Sequence, residues 1–150
     1  MNDDSLRIME LAMQGFHCSH ILVLLALEAQ GKQNPELVRA MSGLVAGMGC
    51  GKTCGVLTGG CCVLGLYAGK GTAQGAPDER LAGMLQRFVE WFEVEYTRRY
   101  GGIQCADILA DDARNQITRC PSIVQESLQE LQRILEESGY DFAGDAPSPC

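Results

Sequence analysis

Between Gly47 and Gly71, nine of 25 residues are glycine. An unbroken helix there is disfavoured, because each interior glycine costs about 1 kcal/mol relative to alanine. Gly47-Met48-Gly49-Cys50-Gly51-Lys52 instead reads as a tight turn, and Thr53 as the cap of a helix running from Cys54 to about Ala68. Gly43, Gly47, Gly51, Gly55 and Gly59 fall at four-residue intervals. Wherever the backbone is helical, such glycines share one face and admit a neighbouring helix at close range. Whatever this chain folds into must therefore place a crowded glycine turn at its centre.

The flanks are helical in pattern. Leu6, Ile8, Met9, Leu11, Ala12 and Met13 open a first helix, Gly15 breaks it, and the solid apolar block Ile21–Leu27 marks a buried second one. Asn34-Pro35-Glu36 is a cap followed by proline at the first helical position, opening a helix to about Ala46. Thr72 to Pro77 is a polar linker. Asp78 then caps an amphipathic helix carrying Leu81, Met84, Leu85, Phe88, Trp91 and Phe92, and Gly101-Gly102 stop it after Tyr100. A short helix is expected over Ile103 to Ala113. Cys120-Pro121 is expected to begin the last one, with Ile123, Val124, Leu128, Leu131, Ile134 and Leu135 inward and Gly139 at its end. No alternating strand pattern stands out. The expected architecture is all-α: one compact helical bundle over residues 1–140 with a glycine-rich central turn, then a flexible tail over 141–150.

A chain of 150 residues buries a core without needing disulfides to fold. Its net charge is −7 with no basic run, so nucleic acid and anionic membrane surfaces are not expected partners. The run Ile21–Leu27 is too short to span a bilayer. The start, MNDDSLRIME, is acidic and unlike a secretory signal. These features point to the cytoplasm, where structural disulfides are disfavoured and cysteine-rich patterns more often mean metal binding or thiol chemistry.

There are eight cysteines. Cys54 falls in the first turn of its expected helix, where unpaired amides and the helix dipole favour a thiolate. Cys120 precedes Pro121 at another expected helix start, beside Arg119. Cys105 follows the Gly101-Gly102 break, and Cys18 follows Gly15. Four cysteines beside chain breaks or helix starts exceed what packing alone requires, although each singly suits a buried apolar site. Cys61 and Cys62 can share the face of Cys54, Cys50 can act as its resolving partner, and Cys150 sits in the tail. His17 and His20 flank Cys18 at a spacing that allows metal ligation, but no standard zinc spacing follows, and surface or satisfied core roles are favoured. No C-x2-C pair exists, which removes zinc ribbons and thioredoxin motifs. Ala46-Gly47-Met48-Gly49-Cys50-Gly51-Lys52-Thr53 loosely matches a phosphate loop, yet a helical pattern precedes it where a buried strand is required.

Together these residues resemble a known group. Gly15-Phe16-His17-Cys18-Ser19 resembles the G-x-N-C-[AS] opening of the C_GCAxxG_C_C family of redox-active proteins. Gly47-Met48-Gly49 and Cys54-Gly55-Val56-Leu57-Thr58-Gly59 are similar to its glycine turn and CGAxxG signature, and Cys105 and Cys120 match its two later cysteines. Val56 stands in place of the signature alanine and His17 in place of the usual asparagine. Cys50, Cys61 and Cys62 are extra to the pattern. The pattern also resembles a segment of split-Soret cytochromes, but no C-x-x-C-H haem attachment sequence is present.

The resemblance implies a redox site formed by Cys18, Cys54, Cys105 and Cys120. In one version the four ligate an iron–sulfur centre of the [2Fe–2S] type and pass electrons to a redox partner protein. In the other they work as thiol–disulfide pairs with Cys54 as nucleophile. Cys50, Cys61, Cys62 and His17 are auxiliary candidates. Two alternatives stand beside these: a soft-metal or zinc module without catalysis, and a helical interaction domain whose cysteines only pack. The glycine face and the Leu81–Tyr100 helix could serve a homodimer, with core packing the favoured use.

Overall fold

A computed structural model of the chain describes residues 2–144. The elements run α1 (Asp3–Met13), α2 (Cys18–Ala29), α3 (Pro35–Ala40), a 3-10 turn (Met41–Leu44), α4 (Gly55–Ala68), α5 (Leu81–Tyr100), α6 (Cys105–Leu109) and α7 (Arg114–Glu137). The described residues contain no strand, and a single antiparallel bridge pairs Thr53 with Gln104. The fold is all-α.

Helix α4 is the central element, packed against α2, α5 and α7. Its sequence is apolar or glycine on every side, as an enclosed helix must be, and Val56, Leu57, Val63, Leu64 and Tyr67 are buried. Helix α5 presents Met84, Phe88, Phe92 and Tyr96 at successive four-residue steps, and α7 presents Ile123, Val124, Leu128, Leu131, Ile134 and Leu135. The expected inner face of α7 is thus the observed one. The α5 stripe and the α4 glycines are used inside the molecule. Two glycines let α4 approach α2: a Cβ on Gly59 would lie 3.0 Å from the Ser19 Cα, and one on Gly55 would lie 2.8 Å from the Cys18 sulfur.

Several boundaries differ from expectation. Helix α3 ends at Ala40 rather than Ala46, because the chain tightens into the 3-10 turn and then reverses hand. Ala46, Gly47, Met48 and Gly49 all have positive φ (55°, 61°, 60° and 71°), a left-handed turn of four residues. Of the glycines spaced by four, only Gly55 and Gly59 sit in an α-helix. Helix α5 begins at Leu81, with Asp78 accepting from the Arg80 amide in the turn before it. Helix α6 is shorter than expected, stopping where Ala110 and Asp111 turn left-handed. Helix α7 starts at Arg114, so Pro121 lies inside it rather than at its start.

Next to the last helix, Phe142 stacks on Tyr67 at 5.8 Å and its carbonyl accepts from the Tyr67 hydroxyl. The remainder of the expected tail, 145–150 with Cys150, lies outside the described residues. Among the described residues no helix is long and apolar enough to cross a membrane.

Candidate four-cysteine site

Each of the four cysteines is held by a different device. Cys18 is the first residue of α2, released by the break at Gly15 (φ 93°) and by His17 as N-cap. The first turn of α2 is pinned from below, because the Ser19 hydroxyl donates to the Met41 carbonyl at 2.9 Å. The spacing of the chain gives no hint of this anchor, since serine in a helix is ordinarily solvent-facing.

Cys54 and Cys105 are set by one piece of backbone pairing. Around the Thr53–Gln104 bridge, the Cys54 amide donates to the Ile103 carbonyl (3.0 Å) and the Cys105 amide to the Lys52 carbonyl (2.6 Å). Helices α4 and α6 both start immediately beyond this bridge, so it fixes two helix starts and two thiols together. Thr53 is therefore occupied in the bridge, and Cys54 itself is the N-cap residue of α4 (φ −52°, ψ 132°).

Cys120 comes from the interior of α7, one and a half turns beyond its start. Arg119 does not serve its sulfur. The Arg119 guanidinium donates to the Ile108 carbonyl (2.7 Å) and lies 4.9 Å over the Tyr100 ring, tying α6 and α5 to α7.

The four thiols act on one another. Burial pushes the Cys54 thiol up to about 12, with the neighbouring Cys18 and Cys120 adding to the rise. Burial raises Cys120 to about 11, with Cys18 and Cys105 contributing. Cys18 is raised by burial and by Cys105, while the amides of Ser19, Cys18 itself and Ala46 pull the other way. Burial alone raises Cys105. Every one of the four is thus within electrostatic reach of at least one other. Separate segments of chain bring them there.

The sign differs from what the position of Cys54 at a helix start suggests. The amides of Val56 and Leu57 do lower its thiol, but loss of water outweighs them. At 6% exposure Cys54 is the deepest of the four, and the other three are half-buried.

The auxiliary candidates have partners of their own. Cys50 is exposed just after the left-handed turn, where its thiol meets the Gly47 carbonyl at 3.4 Å. Cys61 and Cys62 are half-buried on α4. Burial lifts Cys61 to about 11 with Cys62 adding to it, and burial raises Cys62. His17 is exposed, and its amide donates to His20 Nδ1 at 3.1 Å. His20 is buried, bonded through Nε2 to the Ser42 hydroxyl at 2.8 Å, and burial lowers its pKa. It is a satisfied core histidine. No disulfide joins any two cysteines of the described residues.

Four cysteine thiols are the donor set of an iron–sulfur centre. Their arrangement is a separate matter: among the described residues, no group of three or more His, Cys, Asp or Glu side chains is placed to hold a metal ion. The thiols act on one another electrostatically without forming a ligand shell. The phosphate-loop context is also missing, since the 3-10 turn and the left-handed residues precede Lys52 where a strand is required.

What the described residues define is a small helical protein in which buried and half-buried thiols from separate segments act on one another. The chain belongs to the C_GCAxxG_C_C family: the model of that family, described as "Putative redox-active protein (C_GCAxxG_C_C)", matches residues 16–134. No curated protein and no solved structure matches the chain. Within the match, Gly55 has a visible purpose. It is the residue that leaves room for the Cys18 sulfur beside Cys54.

Proposed function

We propose that Cys18, Cys54, Cys105 and Cys120 form a dithiol–disulfide redox centre that exchanges electrons with a partner protein. The observation that carries this reading is the mutual electrostatic coupling of four thiols from separate elements. Cys18 and Cys54 make the inner pair. The Cys18 sulfur occupies the space that a side chain on Gly55, the residue next to Cys54, would need, and Cys18 is the thiol that acts most on Cys54. Forming a disulfide removes two thiols that burial holds protonated, so the buried site favours the uncharged oxidised pair over thiolates.

Cys105 suits the role of entry thiol better than Cys54. It is half-buried, its rise comes from burial alone, and it falls short of the large rises at Cys54 and Cys120. In the reaction, the Cys105 thiolate attacks one sulfur of a partner disulfide and expels the other as a thiolate. The Cys18 thiolate then attacks the Cys105 sulfur and expels the second partner thiolate, and the Cys54 thiolate attacks the Cys18 sulfur and expels Cys105, leaving the Cys18–Cys54 disulfide. The protein loses two electrons and two protons, and the partner gains two thiols.

The experiment is a redox titration in oxidised and reduced dithiothreitol, read by thiol trapping and disulfide mapping. The expected result is one reversible two-electron couple, with Cys18–Cys54 bridged at the oxidising end. Failure to bridge any two of the four cysteines under oxidation refutes the reading.

A [2Fe–2S] centre is the second reading, favoured by the donor set alone: four cysteines match its ligand requirement. Anaerobic purification with iron, zinc and sulfide assays and visible absorbance separates the cases. Stoichiometric iron and sulfide with a visible chromophore would replace the dithiol reading, and zinc without redox change would make this a soft-metal module.

A further inference from the structure

On the side of α2 away from Gly55, a cavity of about 470 Å³ opens between α2, α3 and the 3-10 turn. This is in the size range of small-molecule sites, roughly 300–1,000 Å³. Its apolar lining comes from Phe16, Leu24, Leu27, Pro35 and Val38, and its polar lining includes His20, Arg39 and Ser42.

Two polar groups there are aimed by the structure. The His17 amide donates to His20 Nδ1, so that nitrogen carries no proton and the ring proton is on Nε2. Nε2 therefore donates to the Ser42 oxygen at 2.8 Å, which leaves the Ser42 hydroxyl proton for another acceptor. Arg39 lines the same cavity, three residues before Ser42.

Arg39 also differs from its fellows. Arg7, Arg80, Arg87, Arg98, Arg99, Arg114 and Arg133 each pair with a carboxylate, and Arg119 is bonded to a carbonyl. Among the described residues Arg39 has neither kind of partner. The cavity's acidic residue, Glu28, is already held by Arg7 at 2.5 Å.

We propose that this cavity binds an amphipathic monocarboxylate, with its apolar chain or ring against Phe16, Leu24 and Val38 and its carboxylate on the Arg39 guanidinium and Ser42 hydroxyl. A guanidinium and a hydroxyl donor beside an apolar slot are complementary to that chemistry and to neither a cation nor a neutral polar solute. The inference does not depend on the thiol reading, since it uses none of the four cysteines.

The test is a calorimetric and amide-NMR titration of the full chain with octanoate, cinnamate and 1-octanol. Octanoate and cinnamate distinguish an acyl chain from an aromatic ring as the apolar part. The expected result is carboxylate binding about tenfold tighter than 1-octanol, with amide shifts centred on Phe16, Leu24 and Val38. Arg39→Gln, at an exposed position, should lose that tenfold preference, and Leu24→Trp should block binding by filling the slot. Equal binding of octanoate and 1-octanol, an unchanged preference in Arg39→Gln, or no binding of either carboxylate overturns the proposal. So does concentration-dependent self-association that closes the cavity against a second copy of the chain.

Discussion

Replacing Gly55 with alanine should destabilise the protein, although alanine is the better helix former. A Cβ at Gly55 would lie 2.8 Å from the Cys18 sulfur and 2.9 Å from the Leu44 carbonyl oxygen. Contact at the sulfur could be relieved by a side-chain rotation, but the Leu44 oxygen is backbone and moves only with the 3-10 turn. Overpacking of this kind costs about 1–3 kcal/mol. Improved helix propensity returns at most about 1 kcal/mol, and less at the first helical position. Gly65 supplies the internal reference. It sits in the same helix with nothing within 4 Å of its would-be Cβ, so Gly65→Ala should stabilise the fold. That gain is roughly 0.5–1 kcal/mol. The two variants should therefore differ by roughly 0.5–4 kcal/mol, which at about 2–4 °C per kcal/mol separates their melting temperatures by about 1–16 °C. Urea and thermal unfolding followed by circular dichroism measure the difference. Equal stability of the two variants would refute the close approach of α2 to α4 through Gly55, and with it the placing of Cys18 beside Cys54.

Thiol reactivity should follow burial. Among the described cysteines, with iodoacetamide at pH 8, Cys50 should be alkylated first and Cys54 last, as read by peptide mass spectrometry, because Cys50 is exposed while burial holds the Cys54 thiol at about 12. Stability should fall as pH climbs from about 9 towards 12. A thiol raised by folding binds its proton more tightly in the native state, so its contribution is complete below the unfolded value and lost as pH rises through the folded one. Denaturant midpoints across that window should show a shallower decline in Cys54→Ala than in the parent chain. Arg119→Ala should cost about 1–3 kcal/mol, from the charged hydrogen bond to Ile108 and the ring contact with Tyr100. Faster hydrogen exchange of α6 amides should accompany it, whereas exposed Arg98→Ala should change both little.

Much of the helical framework is legible in the residue order. Asn34-Pro35, the stripe from Met84 to Tyr96, and the inner face of α7 carry their information locally, in caps and in a period of 3.6 residues. The misread boundaries have a common cause. The end of α3, the interior placement of Pro121 and the capping role of Cys54 rather than Thr53 each depend on contacts far away in the chain. Pro121 in particular looks like a helix start because proline is favoured there, yet α7 begins seven residues earlier and tolerates it at an exposed position. The thiol acidity of Cys54 departs from its helix-start position for a similar reason. A helix start can be read from residue types, but the burial that outweighs it cannot.

Residue order alone determined which segments become helices, which glycines break them, and which four cysteines belong to the family pattern. Only tertiary structure decided that Thr53 pairs with Gln104, that Gly55 receives the sulfur of Cys18, and that His20 orients Ser42 into a cavity. The physical reason is range. Helix formation is governed by neighbours within one turn, whereas the proximity of thiols 36 residues apart and the water they lose are properties of how finished helices pack.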